Sequence, residues 1–490
     1  MKAVIHYLVL VGFPVLGVLG FLQLGQGVEA PAAIVETGVL ETSAALEHAG
    51  HLPTLLIQIS VILAVSRLVG MIFRKIHQPQ VMGEMVAGIL LGPSLLGWVA
   101  PGVSAALFPA ESLGFLNALS QVGLLLFMFL VGLELDPRLL KGRGHSAVVT
   151  SHVSIFAPFF LGTLLALYLY PRLSNDSVPF TSFALFVGIA MSITAFPVLA
   201  RILTERNLLR TPVGSLTITC AAVDDVTGWC ILAGVVLLVR VTESAMPLWA
   251  TIGGTAVYIL AMLLVIRPLL GQLENVYEKR GKLTQDVMAL IFLVVLLSGL
   301  VTEWLGIHAL FGAFLAGAIM PKHHQFVAAL TQKLEDTAVV LLLPLFFAFT
   351  GLRASIGLVS GAEMWFYCGL IILVAIAGKF GGSTLAARAT GTPWREAGAL
   401  GILMNTRGLM ELVVLNIGLD IGILSPTLFT MMVLMALITT FMTSPMLEWF
   451  YFSRLLPGSY PKAETARVGF YNGWKPKESL AEPEFPEFIE

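Results

Sequence analysis

Apolar segments recur at intervals of about 25 to 35 residues along this chain, and each matches the roughly 20 residues that cross a bilayer core. In lipid a backbone must satisfy its own hydrogen bonds, so such runs read as membrane helices. They fall at roughly 53-73, 82-99, 112-134, 147-169, 179-204, 212-239, 247-269, 284-303, 306-320, 337-352, 362-386, 397-418 and 424-449. The expected fold is therefore an all-α polytopic membrane protein with thirteen transmembrane helices. Composition agrees: 57% of residues are hydrophobic and 12% charged, with a mean hydropathy of +0.89. An average soluble domain carries about 25% charged residues.

A further apolar stretch at 5-25 precedes these spans. Lys2 at its front and the small residues around Ala30 fit a signal peptide, whereas its length also suits an extra helix, so residues 1-30 carry both readings. Residues 53-450 form the membrane domain, and the polar, Pro-rich stretch 453-490 reads as a partly disordered cytoplasmic tail.

Basic residues set the orientation. If the 53-73 segment starts outside, the inner loops collect Arg74, Lys75, Arg138, Lys141, Arg143, Arg206, Arg210, Lys279, Arg280, Lys282, Lys322, Lys333, Arg388 and Arg395. The outer loops then hold little beyond Arg172, Arg240 and Arg353. This pattern suits a bacterial-type inner membrane with a cytoplasmic C-terminus. No basic stripe tracks phosphates, so nucleic acid is not expected as a partner. Cys220, Cys230 and Cys368 lack ligand spacing and read as buried small hydrophobes. His323-His324 reads as a solvated loop pair. Neither a cofactor nor a resident metal is expected.

Ionisable residues at membrane depth are few: Arg67, Asp224, Asp225, Lys379, Arg407 and Glu411. Each charge there costs about 2.5 to 3.5 kcal/mol on insertion scales, so two adjacent aspartates need a purpose, by default a proton or cation site. Adjacent helical residues point about 100° apart, so Asp224 and Asp225 cannot both face one point. One is expected to hold a buried cation while the other faces a water-filled cavity. Lys379, among the small residues of Ala375–Ser383, is the natural buried cation. Arg407 and Glu411 are spaced i, i+4 and pair if that stretch is helical. Arg67, near a helix end, can snorkel to the interface.

Two segments read as broken helices. Pro197 interrupts the first, which also carries Ser192 and Thr194. The second holds Asn405, Thr406, Arg407 and Gly408. Paired interruptions in corresponding halves of a membrane chain mark transporter sites, where half-helix ends offer partial charges to an ion.

Several stretches resemble the monovalent cation:proton antiporters of the Kef and plant cation/proton exchanger branch. They are Gln78–Ser94 (QPQVMGEMVAGILLGPS), Leu124–Asp136 (LLLFMFLVGLELD), Ile193–Leu203 (ITAFPVLARIL), Val223–Asp225 (VDD) and Pro344–Phe347 (PLFF). The plant branch is resembled most in Met404–Asp420 (MNTRGLMELVVLNIGLD) and Ser425–Met435 (SPTLFTMMVLM). The resemblance spans about residues 53 to 450. It implies a sodium/proton antiporter-like fold of inverted repeats with two broken crossing helices, a core domain moving against a dimerisation domain, and homodimers. By resemblance Asp225 is the ion-binding carboxylate, Asp224 its neighbour paired with Lys379, and Thr194 lies close to the ion. Aspartate at 224 together with Lys379 looks like the electrogenic pattern. Against the family pattern, neither the nucleotide-binding regulatory domain of Kef-type systems nor the long tail of plant exchangers is expected within these residues.

The expected activity is exchange of Na+ or K+ for protons by alternating access, with both ions competing for Asp225, in a protein that is not an enzyme. A proton-uncoupled channel and a transporter-like sensor are the rivals. An intramembrane aspartyl protease is disfavoured, because its two aspartates must converge on one proton.

Overall fold

The computed structural model describes residues 2–32, 51–76, 78–134, 144–206, 208, 211–243, 248–306 and 308–452. The tail expected at 453-490 and the loop with Arg138, Lys141 and Arg143 lie outside the described residues. Those described are helical with short connections. Besides the short Leu96–Val99 and Pro101–Leu107 turns, the helices are α1 (Lys2–Gly25), α2 (His51–Lys75), α3 (Gln80–Leu91), α4 (Ala110–Glu134), α5 (Gly144–Leu173), α6 (Phe180–Ala190), α7 (Phe196–Glu205), α8 (Pro212–Glu243), α9 (Leu248–Ala261) and α10 (Arg267–Arg280). They continue with α11 (Gln285–Trp304), α12 (Ala309–Ala318), α13 (His324–Glu335), α14 (Leu343–Arg353), α15 (Gly361–Ile376), α16 (Gly382–Ala389), α17 (Trp394–Met404), α18 (Leu409–Asp420) and α19 (Pro426–Leu447).

Among the described residues ten helices are long and apolar enough to cross a membrane, or eleven if the bent pair α17–α18 counts as one span. The expected count of thirteen is not reached by this measure. The 179-204 region is divided into α6 and α7, and the 306-320 region yields only the ten residues of α12. In the other direction, the 247-269 helix runs on through a π-helical turn at Met262–Ile266 to Arg280. Gly281 ends it in the left-handed conformation (φ 64°) that glycine adopts without a Cβ clash. The leading apolar stretch forms α1, which lies against α5 with the rings of Phe13 and Phe21 both tilted against Phe160.

The densest helix contacts form two groups, joined by one apolar core in which Trp229 of α8 meets Phe311 and Phe314 of α12. Helix α3 lies between α2 and α14, and α12 lies against α4 and α11. Separately, α5 gathers α1, α6, α8 and α16 around it, while α17 touches α8 and α19. Large apolar side chains such as Val257, Leu264, Leu293 and Leu296 remain exposed along α9 to α11. In a chain of this hydropathy they form the lipid-facing surface of an integral, multi-pass membrane protein. Cys220 and Cys368 are buried as expected, but Cys230 is exposed.

Candidate functional site: a crossing of two broken helices

Both sequence interruptions are real breaks. Helix α6 stops at Ala190, the chain runs unwound through Met191–Ala195, and α7 begins at Phe196. Pro197 thus occupies the first turn of α7, where its missing amide donor costs nothing. Helix α17 stops at Met404, Asn405–Gly408 are unwound, and α18 leaves at 44°. The two breaks touch, since the Ala195 amide donates to the Thr406 carbonyl over 3.0 Å. Gly408 permits this approach: a Cβ there would sit 2.8 Å from Val198 and 3.2 Å from Ala195.

Helix α8 passes beside the crossing and carries the two aspartates, which are 2% and 6% exposed. Asp224 is enclosed by donors. Ser151 and Ser154 of α5 donate to its two oxygens over 2.5 and 2.6 Å. The Thr194 hydroxyl lies 2.9 Å from Oδ2, nearer than the Met404 carbonyl at 3.3 Å. Lys379 donates to the same Oδ2 over 3.0 Å. Fully buried, its ammonium also reaches the carbonyls of Ser154 (2.9 Å) and Ser192 (2.5 Å), so each of its three hydrogens has an acceptor. A π-helical turn, Ala377–Gly381, presents Lys379 between α15 and α16. Within it Gly378 lets the backbone of Pro158 approach to 2.6 Å from where a Cβ would stand.

Asp225 has a different environment. The Phe196 amide at the start of α7 donates to its carboxylate, so the positive end of that half-helix faces it. Its Oδ1 is buried with no hydrogen-bond partner among the described residues. A buried, partly unfilled carboxylate at a helix N-terminus is chemically suited to take a proton or a bare cation.

In the second break, Arg407 sits in the unwound segment and not in a helix, yet it pairs with Glu411 in the first turn of α18. Its guanidinium also donates to the carbonyls of Ala190 (2.9 Å) and Met191 (2.6 Å), capping the C-terminal end of α6. Thr440 of α19 bonds both the amide and the carbonyl of Arg407, each over 2.9 Å.

The remaining sequence candidates lie in contact with this frame. The Ser192 hydroxyl turns back to the Gly188 carbonyl, so its contribution to Lys379 is its own carbonyl. Thr406 bonds the Leu403 carbonyl through its hydroxyl. Asn405 is turned towards a small pocket lined also by Phe380, Thr443 and Met446, and Asp225 is not among the lining residues.

Three buried polar side chains escaped the sequence reading. Ser151 and Ser154 carry half of the donors on Asp224, and the only signal was the polar cluster Thr150–Ser154 within an apolar run. Glu84 is an ionisable residue at membrane depth that the inventory omitted; it is 6% exposed on α3 and accepts from Gln80 over 3.2 Å. Arg67 lies near the Val340 carbonyl (3.3 Å) rather than at the crossing. Away from the site, the partly exposed Glu274 and His323 and the exposed Glu278 place their ligand atoms within 4.8 Å of one another.

Comparison with known proteins finds a family and several named relatives. Residues 60–451 match the family model described as sodium/hydrogen exchanger, transmembrane. The chain is 45% identical over 398 residues to the Na(+)/H(+) antiporter NhaS4 of Synechocystis, covering 81% of this chain and 97% of that protein. Cation/H(+) antiporter 17 of Arabidopsis thaliana is 40% identical across 86% of this chain, and K(+)/H(+) antiporter 1 of Saccharomyces cerevisiae is 34% identical across 83%. The chain spans about half the length of these last two, 51% and 46%. Among solved structures, the sodium proton antiporter MjNhaP1 of Methanocaldococcus jannaschii has a TM-score of 0.56 and 16% identity, covering 81% of this chain and 96% of that one. At that identity it speaks for the fold alone.

Proposed function

The chain belongs to the sodium/hydrogen exchanger family, and on that premise we propose that it exchanges a monovalent cation, Na+ or K+, for protons by alternating access. The observation that carries this reading is the asymmetry of the adjacent aspartates. Asp224 is filled by four donors, while Asp225 keeps a buried oxygen without a partner beside the N-terminus of α7. Asp225 is then the exchange carboxylate: a proton and a bare cation each neutralise it, and neither binds while the other is there.

Its neighbours fix the charge around it. Asp224 and Lys379 neutralise each other, and Thr194 couples Asp224 to the unwound part of the first broken helix. Ser192, Asn405, Thr406, Arg407, Gly408 and Glu411 hold the two breaks in register. The α5-centred set of helices is the moving core and the α3–α12–α14 set the dimerisation domain of a homodimer. Thirteen spans follow if α6–α7, α12 and α17–α18 all lie within the bilayer. The protein sits in a bacterial-type inner membrane, surrounded by lipid, with its C-terminus cytoplasmic.

Purified protein in sealed liposomes with a trapped pH dye tests this. Addition of Na+ or K+ is expected to move protons the opposite way, and Asp225→Asn to abolish that signal. Near-normal exchange in the variant rules out the assignment. Cation flux without a proton signal identifies a channel, and no flux of either ion identifies a sensor.

A further inference from the structure

We propose that Trp229 is the outer seal of the exchange site: its indole, seated against Phe311 and Phe314, closes Asp225 off from the outer face and leaves those rings when the site opens to that side. This rests on the reading of Asp225 as the exchange carboxylate and on the orientation given above.

The inference starts from spacing. Trp229 follows Asp225 by four residues on α8, so both project from one face of the helix, with Trp229 about 6 Å further along it. Arg206 and Arg210 precede α8 on the inner side, so that step leads outward. At the same level α8 lies against the first break, where a Cβ on Gly228 would stand 3.6 Å from Ile193. The indole is thus placed one turn outward of the carboxylate, beside the crossing.

The partners of the indole belong to the other group of helices. Its ring meets Phe311 edge to face, with centroids 5.2 Å apart at 88°, and lies closer to parallel with Phe314 at 6.1 Å and 25°. Both phenyl rings are carried by α12, whose backbone touches its neighbours directly. A Cβ on Gly132 of α4 would stand 2.1 Å from the Phe314 carbonyl oxygen, and one on Gly312 2.2 Å from the Ser298 carbonyl oxygen of α11. Packing this close makes α4, α11 and α12 one rigid frame. Trp229 travels with α8 and the α5-centred group. Movement of that group against the frame therefore acts on the fit of the indole to the two rings.

The indole also carries the mark of a state that is left during the cycle. It is 5% exposed, and its Nε1–H has no hydrogen-bond partner among the described residues. A buried tryptophan N–H ordinarily finds a partner, and an unmet donor disfavours the form that buries it. Withdrawal from α12 brings water to that N–H, which favours opening. Coupling needs the seal: with the outer side open while the inner side opens, a proton could cross by way of Asp225 with no cation returning.

The test is proton leak in sealed liposomes that contain neither Na+ nor K+. A permeant anion added outside as its choline salt makes the interior negative and drives protons inwards, and a trapped pH dye reports their entry. Wild-type protein is expected to match protein-free liposomes, because exchange needs a cation to travel back. Trp229→Ala is expected to raise proton entry several-fold. Adding Asp225→Asn to Trp229→Ala is expected to remove that leak, which a merely loosened protein would retain. If Trp229→Ala does not fold, Phe311→Leu and Phe314→Leu thin the same contact from the rigid side and carry the same expectation. Folded variants that exchange cations for protons without leak overturn the proposal, and so does a leak that survives Asp225→Asn. Absence of any cation-driven proton signal in wild-type protein removes the underlying reading instead.

Discussion

Two buried ion pairs flank the crossing, Asp224–Lys379 and Arg407–Glu411, and all four side chains are closed to solvent. Their surroundings differ. Around Asp224 and Lys379 the donors and acceptors are matched, largely by side chains and carbonyls of α5 and the first break. The second pair is less complete: Glu411 Oε1 and Arg407 Nε have no partner among the described residues. Its guanidinium is instead spent on the backbone, capping α6 at Ala190 and Met191. The first pair sets the electrostatics beside Asp225. The second holds the broken helix together. A buried pair is thus not one kind of device, and its partners distinguish an electrostatic role from an architectural one.

Removing one cation from each pair is the strongest way to break this comparison. Loss of one partner of a buried pair costs about 3 to 5 kcal/mol. Lys379→Met is expected to abolish exchange in liposomes. Arg407→Met is expected to show first as a lowered melting point and poor yield in detergent, because it uncaps α6 and strands Glu411. Equal thermal stability of Arg407→Met and wild type would collapse the distinction.

A smaller effect tests the contact between the breaks. Gly408→Val forces a side chain into the space that Val198 and Ala195 occupy. Overpacking of this kind costs about 1 to 3 kcal/mol, readable as a lower melting point together with slower exchange. A Gly408→Val variant that melts and exchanges like wild type would mean that the breaks need not touch.

The pH dependence sharpens the comparison next. Protons occupy more of Asp225 as pH falls, so the cation must displace them. Below the titration point of the site the apparent KM for the cation should rise by up to about tenfold per pH unit, the slope of one-proton competition. Glu411→Gln should keep that slope, since its pair lies outside the competition. A flat KM across the same pH range in wild type would refute competition at one carboxylate.

The smallest effect is expected far from both pairs. Arg353 on α14 joins Asp420 and Asn416 of α18 at 2.6 and 3.0 Å, in a partly exposed setting. Exposed pairs contribute about 0 to 1 kcal/mol, so Arg353→Ala should move the melting point only by about a degree or two. A loss on the scale of Arg407→Met would make this link part of the architecture.

What could be read from the sequence follows from the cost of charge in lipid. Asp224, Asp225, Lys379, Arg407 and Glu411 stand out because each interrupts an apolar run, and the helix breaks stand out through Pro197 and Gly408. Serine has no such signature, because one hydroxyl in a membrane helix can satisfy itself on a carbonyl one turn earlier, as Ser60 does on Leu56. Ser151 and Ser154 were therefore silent. The i, i+4 spacing of Arg407 and Glu411 suggested their pair on the condition of a helix. The pair forms without that condition, since Arg407 precedes the first turn of α18.

Hydropathy and the rarity of intramembrane charge fixed the fold class, the two breaks and the residues between which the site must lie, because those depend on local cost alone. Span lengths at α6–α7 and α12 were decided by packing that no periodicity records. The different surroundings of Asp224 and Asp225 were also a tertiary decision. Two identical carboxylates one residue apart share the same local sequence, and only the elements that surround them, α5 for one and the start of α7 for the other, give them different partners.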